Sequence, residues 1–157
     1  MNSIELFMID YLESRRRFLI VANAFPDNYL TWRPDEGALS IGETIRHVLL
    51  HDLSWLNILK NGSLPSDEVR EPLWLKPYIS VADEINTTLP YHYEFIDYVN
   101  TLQPENLSST IISWPHKQIK RTLGDTLERK SYHDAIHTGQ LLQYMRMIPI
   151  ERPNIWD

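Results

Sequence analysis

Four stretches of this 157-residue chain repeat apolar side chains every three to four residues, and none keeps a convincing run of strict apolar and polar alternation. Such a chain has helix faces to bury and little sheet to bury them against. In the first stretch, about Ser3 to Ala24, the repeat runs through Ile4, Phe7, Met8, Tyr11, Leu12, Arg15, Phe18, Leu19 and Ala22, with Ser3 as the expected N-cap. The second begins at Ser40, whose hydroxyl pairs with Glu43 as a capping box, and ends at Asn61 and Gly62. The third covers about Ser80 to Leu102. Pro90 falls inside it and predicts either a kink or a late start. The fourth starts near Thr122, capped there or at Gly124 to Asp125, and continues to about Met147, where Pro149 stops it.

The connections are long. The segment from Pro26 to Ala38 reads as an ordered loop pinned by Tyr29, Leu30 and Trp32. Ser63 to Pro77 is rich in Pro, Asp and Glu without periodicity, so it reads as a crossover loop with at most one short turn. Gln103 to Arg121 contains the β-prone run Thr110 to Trp114 followed by Pro115, which predicts a short hairpin or an extended loop. Four helices joined this way predict an all-α four-helix bundle with long crossover connections, and the length fits a single domain over residues 1–157.

Net charge narrows the function classes. At −6 with a pI near 5.5, the chain lacks the clustered cations that grip a phosphate backbone, so no nucleic-acid partner is expected. Its one basic run, Arg15 to Arg17, reads as the solvated side of a helix. No run approaches the roughly 18–20 apolar residues needed to span a bilayer, so no membrane partner is expected. Glu5 and Asp10 interrupt the start of the chain, which does not resemble a secretory signal; a cytoplasmic protein is expected. With zero cysteines, any metal must be held by nitrogen and oxygen, and any thiol chemistry must use a thiol from outside the chain.

The residues that can carry chemistry are histidines. His133 and His137 stand one turn apart on one face of the fourth helix, the spacing at which two imidazoles grip one ion. Gln140 and Tyr144 continue the same stripe, and Thr126 and Arg129 precede it. His47 stands in the apolar second helix with His51 one turn later, competing for the ligand role or supporting it. Asp52 falls on the apolar face beside them, where a carboxylate needs a partner; orienting a ligating imidazole is one use. The bland readings are a wet helix face for the pair and hydrogen-bonded core positions for His47; His92 and His116 read as structural or surface residues. Comparison with the HExxH zinc-protease helix fails, because Asp134 is a methylene shorter than Glu and no histidine follows His137.

The chain resembles the DinB superfamily of DinB/YfiT-like metal-dependent enzymes. The resemblance is carried by Leu30 to Pro34, Ser40 to His47, Thr122 to Leu127, and His133 to Gln140 followed by Arg146, in that order. It implies a bundle in which His47, His133 and His137 bind one divalent metal, Zn²⁺ first, with Ni²⁺, Mn²⁺ or Fe²⁺ as alternatives. It further implies a small-molecule substrate and a homodimer. The chemistry implied is that of a metal-dependent enzyme activating a low-molecular-weight thiol cosubstrate such as bacillithiol or mycothiol (a thiol S-transferase), or water (a hydrolase). Gln140 and Tyr144 are candidates to contact substrate, and Asp52 and His51 to support the ligands. The alternative is a non-catalytic metal- or ligand-binding dimeric bundle. Gly139, matching a family glycine, suggests close approach of another backbone or subunit.

Overall fold

Each of the four periodic stretches is a helix in the computed structural model, which describes residues 1–114 and 117–156. In chain order the elements are α1 (Ser3–Asn23), a 3₁₀ turn (Asp27–Tyr29), α2 (Ile41–Asn61), α3 (Asp67–Trp74), α4 (Val81–Asn100), α5 (Asn106–Ser109), β1 (Ile111–Trp114), β2 (Ile119–Thr122) and α6 (Leu123–Met147). His116 lies outside the described residues.

Local capping chemistry sets the starts. Asn2, one residue earlier than expected, caps α1: its side chain accepts from the N–H groups of Ile4 and Glu5, while the Glu5 carboxylate accepts from the N–H of Asn2. The box closes from Asn2 because Glu5 is then the third helical residue, the position that can reach back. Ser40 and Glu43 form the expected box on α2, and Thr122 caps α6. Ser80 caps α4, so that helix does not start late; it runs unbroken through Pro90. Pro90 and Asn86, whose carbonyl loses its helical donor, are both exposed, so the freed group is open to solvent.

Two connections carry more structure than expected. Within the Ser63 to Pro77 crossover, Ser66 stands at the N-cap position and Asp67 and Glu68 favour the first turn of α3 electrostatically. The later connection forms α5 and a true antiparallel hairpin, with Ile111 opposite Thr122 and Trp114 opposite Ile119.

Helices α1 and α2 stand diagonally across the bundle; each packs chiefly against α4 and α6. The interior is two apolar clusters with a polar layer between them. One cluster joins Phe18 and Val21 of α1, Ile45 and Leu49 of α2, Val81 of α4 and Leu141 and Met145 of α6. The other joins Phe7 and Tyr11, Leu56 and Leu59, Phe95 and Val99, and Leu123 and Leu127 from the same four helices. Between them lie Arg15, Asp52, His92, Lys130 and Asp134, all buried. Arg15 is therefore no part of a solvated face: it is 4 % exposed and holds Asp52 at 2.8 Å across the bundle. Only Arg16 and Arg17 turn outward, onto Glu13. Gly139 has nothing within 4 Å of where a Cβ would stand, so among the described residues no other part of the chain approaches it closely. Among the described residues, no helix is long and apolar enough to cross a membrane.

Candidate metal centre

Because α2 and α6 are neighbours, the His47 and His51 turn of one meets the His133 and His137 turn of the other. The Nε2 atom of His133 stands 3.0 Å from Nε2 of His47 and 3.0 Å from Nε2 of His137. Three ring nitrogens thus converge from residues up to 90 positions apart.

The far sides of two of these rings decide what the near sides can do. His133 Nδ1 lies 3.2 Å from Oδ1 of Asp134, and His137 Nδ1 lies 2.7 Å from Oε1 of Gln140. Both oxygens accept, so in a neutral ring the proton sits on Nδ1 and Nε2 is left with a bare lone pair. Two such lone pairs 3.0 Å apart, with no proton to share, repel unless a cation lies between them. Imidazoles sharing one Zn²⁺ at about 2.0–2.1 Å keep their nitrogens about 3.3 Å apart, close to the spacing here. The donor set therefore fits a divalent ion held by nitrogen.

Two of the rings, His47 and His137, are pushed toward the neutral form. Burial, aided by the neighbouring His133 and His137, lowers the pKa of His47 to about 4. Burial likewise lowers that of His137, with His133 adding to the effect. A neutral imidazole is the ligand form.

His51 is placed differently. Its ring stacks on that of His133, with centroids 3.7 Å apart. The indole N–H of Trp55 donates to its Nδ1 at 3.3 Å. Since an indole can only donate, the proton of the His51 ring belongs on Nε2, and neither nitrogen offers a free lone pair. The alternative grouping of His51, His133 and Asp134 is less suited, because both Asp134 oxygens already have partners in His133 and Lys130.

Asp52 reaches none of the three converging imidazoles directly. It accepts from Tyr11 at 2.9 Å and Arg15 at 2.8 Å, and lies 3.1 Å from Lys130 and 3.2 Å from His92. Lys130 also pairs with Asp134, so Asp52 touches His133 only through the chain Lys130 and Asp134. Gln140 serves His137, and Tyr144 turns away to donate to the Leu39 carbonyl beside Trp32. Thr126 is buried and Arg129 pairs with Asp125 at the surface, so neither joins the cluster.

Sequence reasoning weighed Asp134 only as a protease-type base, and it passed over Lys130, Arg46 and Trp74. The first two had a readable signal: they are four residues apart on one helix face, one turn from the histidine pair. Arg46 and Trp74 had none, because they meet only once α3 folds back. Beside the histidines, α2 and α3 enclose a cleft of about 470 Å³, with His47 and His51 on the side toward α2 and Trp74 on the side toward α3. The Trp74 ring stands edge to face with His47, centroids 6.3 Å apart.

No curated protein matches the chain significantly. Its fold matches the crystal structure of YjoA, a DinB-like protein from Bacillus subtilis, with a TM-score of 0.69 over 96% of each chain at 19% sequence identity. The family model of the DinB superfamily matches residues 10–141, a span that includes all four histidines of the cluster. The chain belongs to the DinB superfamily.

Proposed function

We propose that the protein binds one divalent metal ion through His47, His133 and His137 and is a metal-dependent enzyme acting on a small molecule. The observation that carries this is the pair of Nε2 lone pairs facing each other at 3.0 Å, with their protons committed to Asp134 and Gln140 on the far sides. A divalent ion held there supplies Lewis acidity, which makes a thiol or a water easier to deprotonate at neutral pH. Three nitrogen donors are one fewer than a closed tetrahedral site needs, which suits catalysis better than a structural role. The chain has no cysteine, so a thiol nucleophile would come from a low-molecular-weight cosubstrate, making the enzyme an S-transferase; with water it would be a hydrolase.

The protein's own groups do three things in this reading. Asp134 and Gln140 fix the tautomer of two ligands, the polar layer behind holds Asp134 in place, and the cleft beside His47 gives a small molecule room next to the ligands. Exposed Leu6 and Ile9 on α1 and Tyr132 and Ile136 on α6 supply apolar surface for a homodimer.

Elemental analysis of protein purified without a histidine tag tests the proposal. About one divalent metal per chain is expected, with Zn²⁺ the first candidate and Ni²⁺, Mn²⁺ or Fe²⁺ the others, lost in a His133→Ala, His137→Ala double variant. Full occupancy in that variant would sink it. Metal binding without turnover in screens pairing thiols with electrophiles, or offering hydrolysable esters and amides, would leave a metal-binding protein that is not an enzyme.

A further inference from the structure

We infer that the cleft between α2 and α3 is a binding pocket for the neutral, apolar body of a small organic molecule, with Trp74 its main contact and Arg46 the residue that positions Trp74. The inference rests on the proposed metal centre for the chemistry at the His47 side, but the pocket is argued from its own walls.

At about 470 Å³ the cleft falls within the usual size of ligand sites, about 300–1,000 Å³. Leu50, Leu64, Trp74 and Leu75 supply apolar wall. Charge at the lining is nearly balanced. Arg70 is already paired with Asp67 at 2.5 Å, and Glu71 stands beside it with the opposite sign. The side chains lining the cleft therefore give an anionic body no advantage over a neutral one. A flat group laid against Trp74 is brought alongside the His47 ring, which the indole meets edge to face.

Arg46 explains why this wall stays in place. Helix α3 has eight residues, none of them buried, too short to persist by itself. Arg46 is 1 % exposed and directs its guanidinium at the end of that helix. Its Nη1 donates to the carbonyls of Trp74, at 2.7 Å, and Lys76, and its Nη2 to that of Pro77. Nε and Nη2 also donate to Glu84 of α4, while the guanidinium lies 3.9 Å from the ring centroid of Tyr78. All five N–H donors are thereby used, three of them on the strap that carries Trp74. The residue preceding ligand candidate His47 thus fixes the opposite wall of the cleft. A second groove of similar size, between α1 and α6, also has a tryptophan, Trp156, but lies away from the histidines and serves as an internal control.

The test is fluorescence titration of the full chain, metal-free and metal-loaded, with N-phenyl-1-naphthylamine, a neutral aromatic probe whose emission rises in apolar surroundings. Single-site binding is expected, weakened at least about tenfold by Trp74→Ala and severalfold by the exposed Leu75→Ser, and unchanged by Trp156→Ala. No binding, wild-type affinity in Trp74→Ala, or loss in Trp156→Ala overturns the pocket. In Arg46→Lys, the amides of α3 should exchange hydrogen faster than in the wild type, while those of α1 do not change. Exchange of α3 at the wild-type rate overturns the clamp. Metal content measured on the same samples separates the two readings. Probe binding at Trp74 in protein that takes up no metal upholds the pocket and sinks the metal centre; metal uptake with no probe binding does the reverse.

Discussion

The Nδ1 atom of His133 stands 3.2 Å from Oδ1 of Asp134, a carboxylate that is 1 % exposed and whose other oxygen is held by Lys130. This contact links the surface histidine cluster to the polar layer inside the bundle. It also makes Asp134 the acceptor that sets which nitrogen of His133 is free. Replacing such a supporting carboxylate commonly costs 10- to 100-fold in metal affinity. Asp134→Ala should therefore weaken metal binding by roughly that factor, measured by competition with a chromogenic chelator on protein shown to be folded. Gln140→Ala should weaken it less, because Gln140 is exposed and water can take its place at His137 Nδ1.

The polar layer is a matched set in which the cations Arg15 and Lys130 face the carboxylates Asp52 and Asp134. Lys130 is wholly buried and touches both acids, so Lys130→Met leaves Asp134 without a cation and Asp52 with Arg15 alone. Breaking a buried pair on one side costs about 3–5 kcal/mol, and a loss of that size is expected in urea unfolding. A loss under about 1 kcal/mol, within the range of a surface pair, would show that the layer is not held by charge pairing.

Acid should act on the same layer through Asp52. Burial alone would raise its pKa, but Lys130, the hydrogen bond with His92, and Arg15 outweigh burial and hold it well below the usual carboxylate range. The folded-state pKa is thus the lower one, and as pH falls the unfolded chain takes up this proton first. The stabilisation is complete above the unfolded pKa of about 4 and is lost as pH drops through and below it. The stability gap between wild type and Asp52→Asn should be widest near neutrality and should narrow between about pH 5 and pH 3. Urea midpoints across that window measure it, and a gap independent of pH would exclude the Asp52 charge as its source.

What could be read from the chain followed the range of the interaction. The helices were legible because periodicity and capping boxes act within four residues; the shift from Ser3 to Asn2 at the first cap is a one-residue error of that local kind. Helix α3 was not, because Pro65, Pro72 and the acidic run hide a periodicity only two turns long. Arg15 was misread for want of its partner. A basic run averages to a surface, whereas Asp52, 37 residues away, is recognisable in sequence only as an acid that needs a partner. The HxxxH pair was visible in sequence. His47 lies 86 residues before His133, and its convergence followed only from the family resemblance or from packing α2 on α6. The contact of Arg46 with the Trp74 carbonyl, 28 residues on, depends on the path of a crossover that no local pattern specifies.

Gly42 offers a way to disturb that crossover without touching a histidine. It sits in the first turn of α2, where its N–H donates to the Leu30 carbonyl at 2.7 Å. A Cβ at this position would come within 2.9 Å of the Tyr78 ring and 3.0 Å of the Leu30 carbonyl oxygen. The oxygen is backbone and cannot swing aside, so the strain must fall partly on Tyr78, the ring against which the Arg46 guanidinium lies. Two effects then oppose each other. Alanine favours the helix over glycine by about 1 kcal/mol, but overpacking a tight contact costs about 1–3 kcal/mol. With two approaches at or near 3.0 Å, the steric term should win, and Gly42→Ala should lower stability by up to about 2 kcal/mol in urea unfolding, net of the helix gain. If Tyr78 moves, the damage should spread to the α3 strap and appear as faster hydrogen exchange over residues 67–74, while exchange in α6 stays at its wild-type rate. A stabilised Gly42→Ala protein would show that Tyr78 and the loop at Leu30 yield freely, and that the start of α2 is not pinned by close packing.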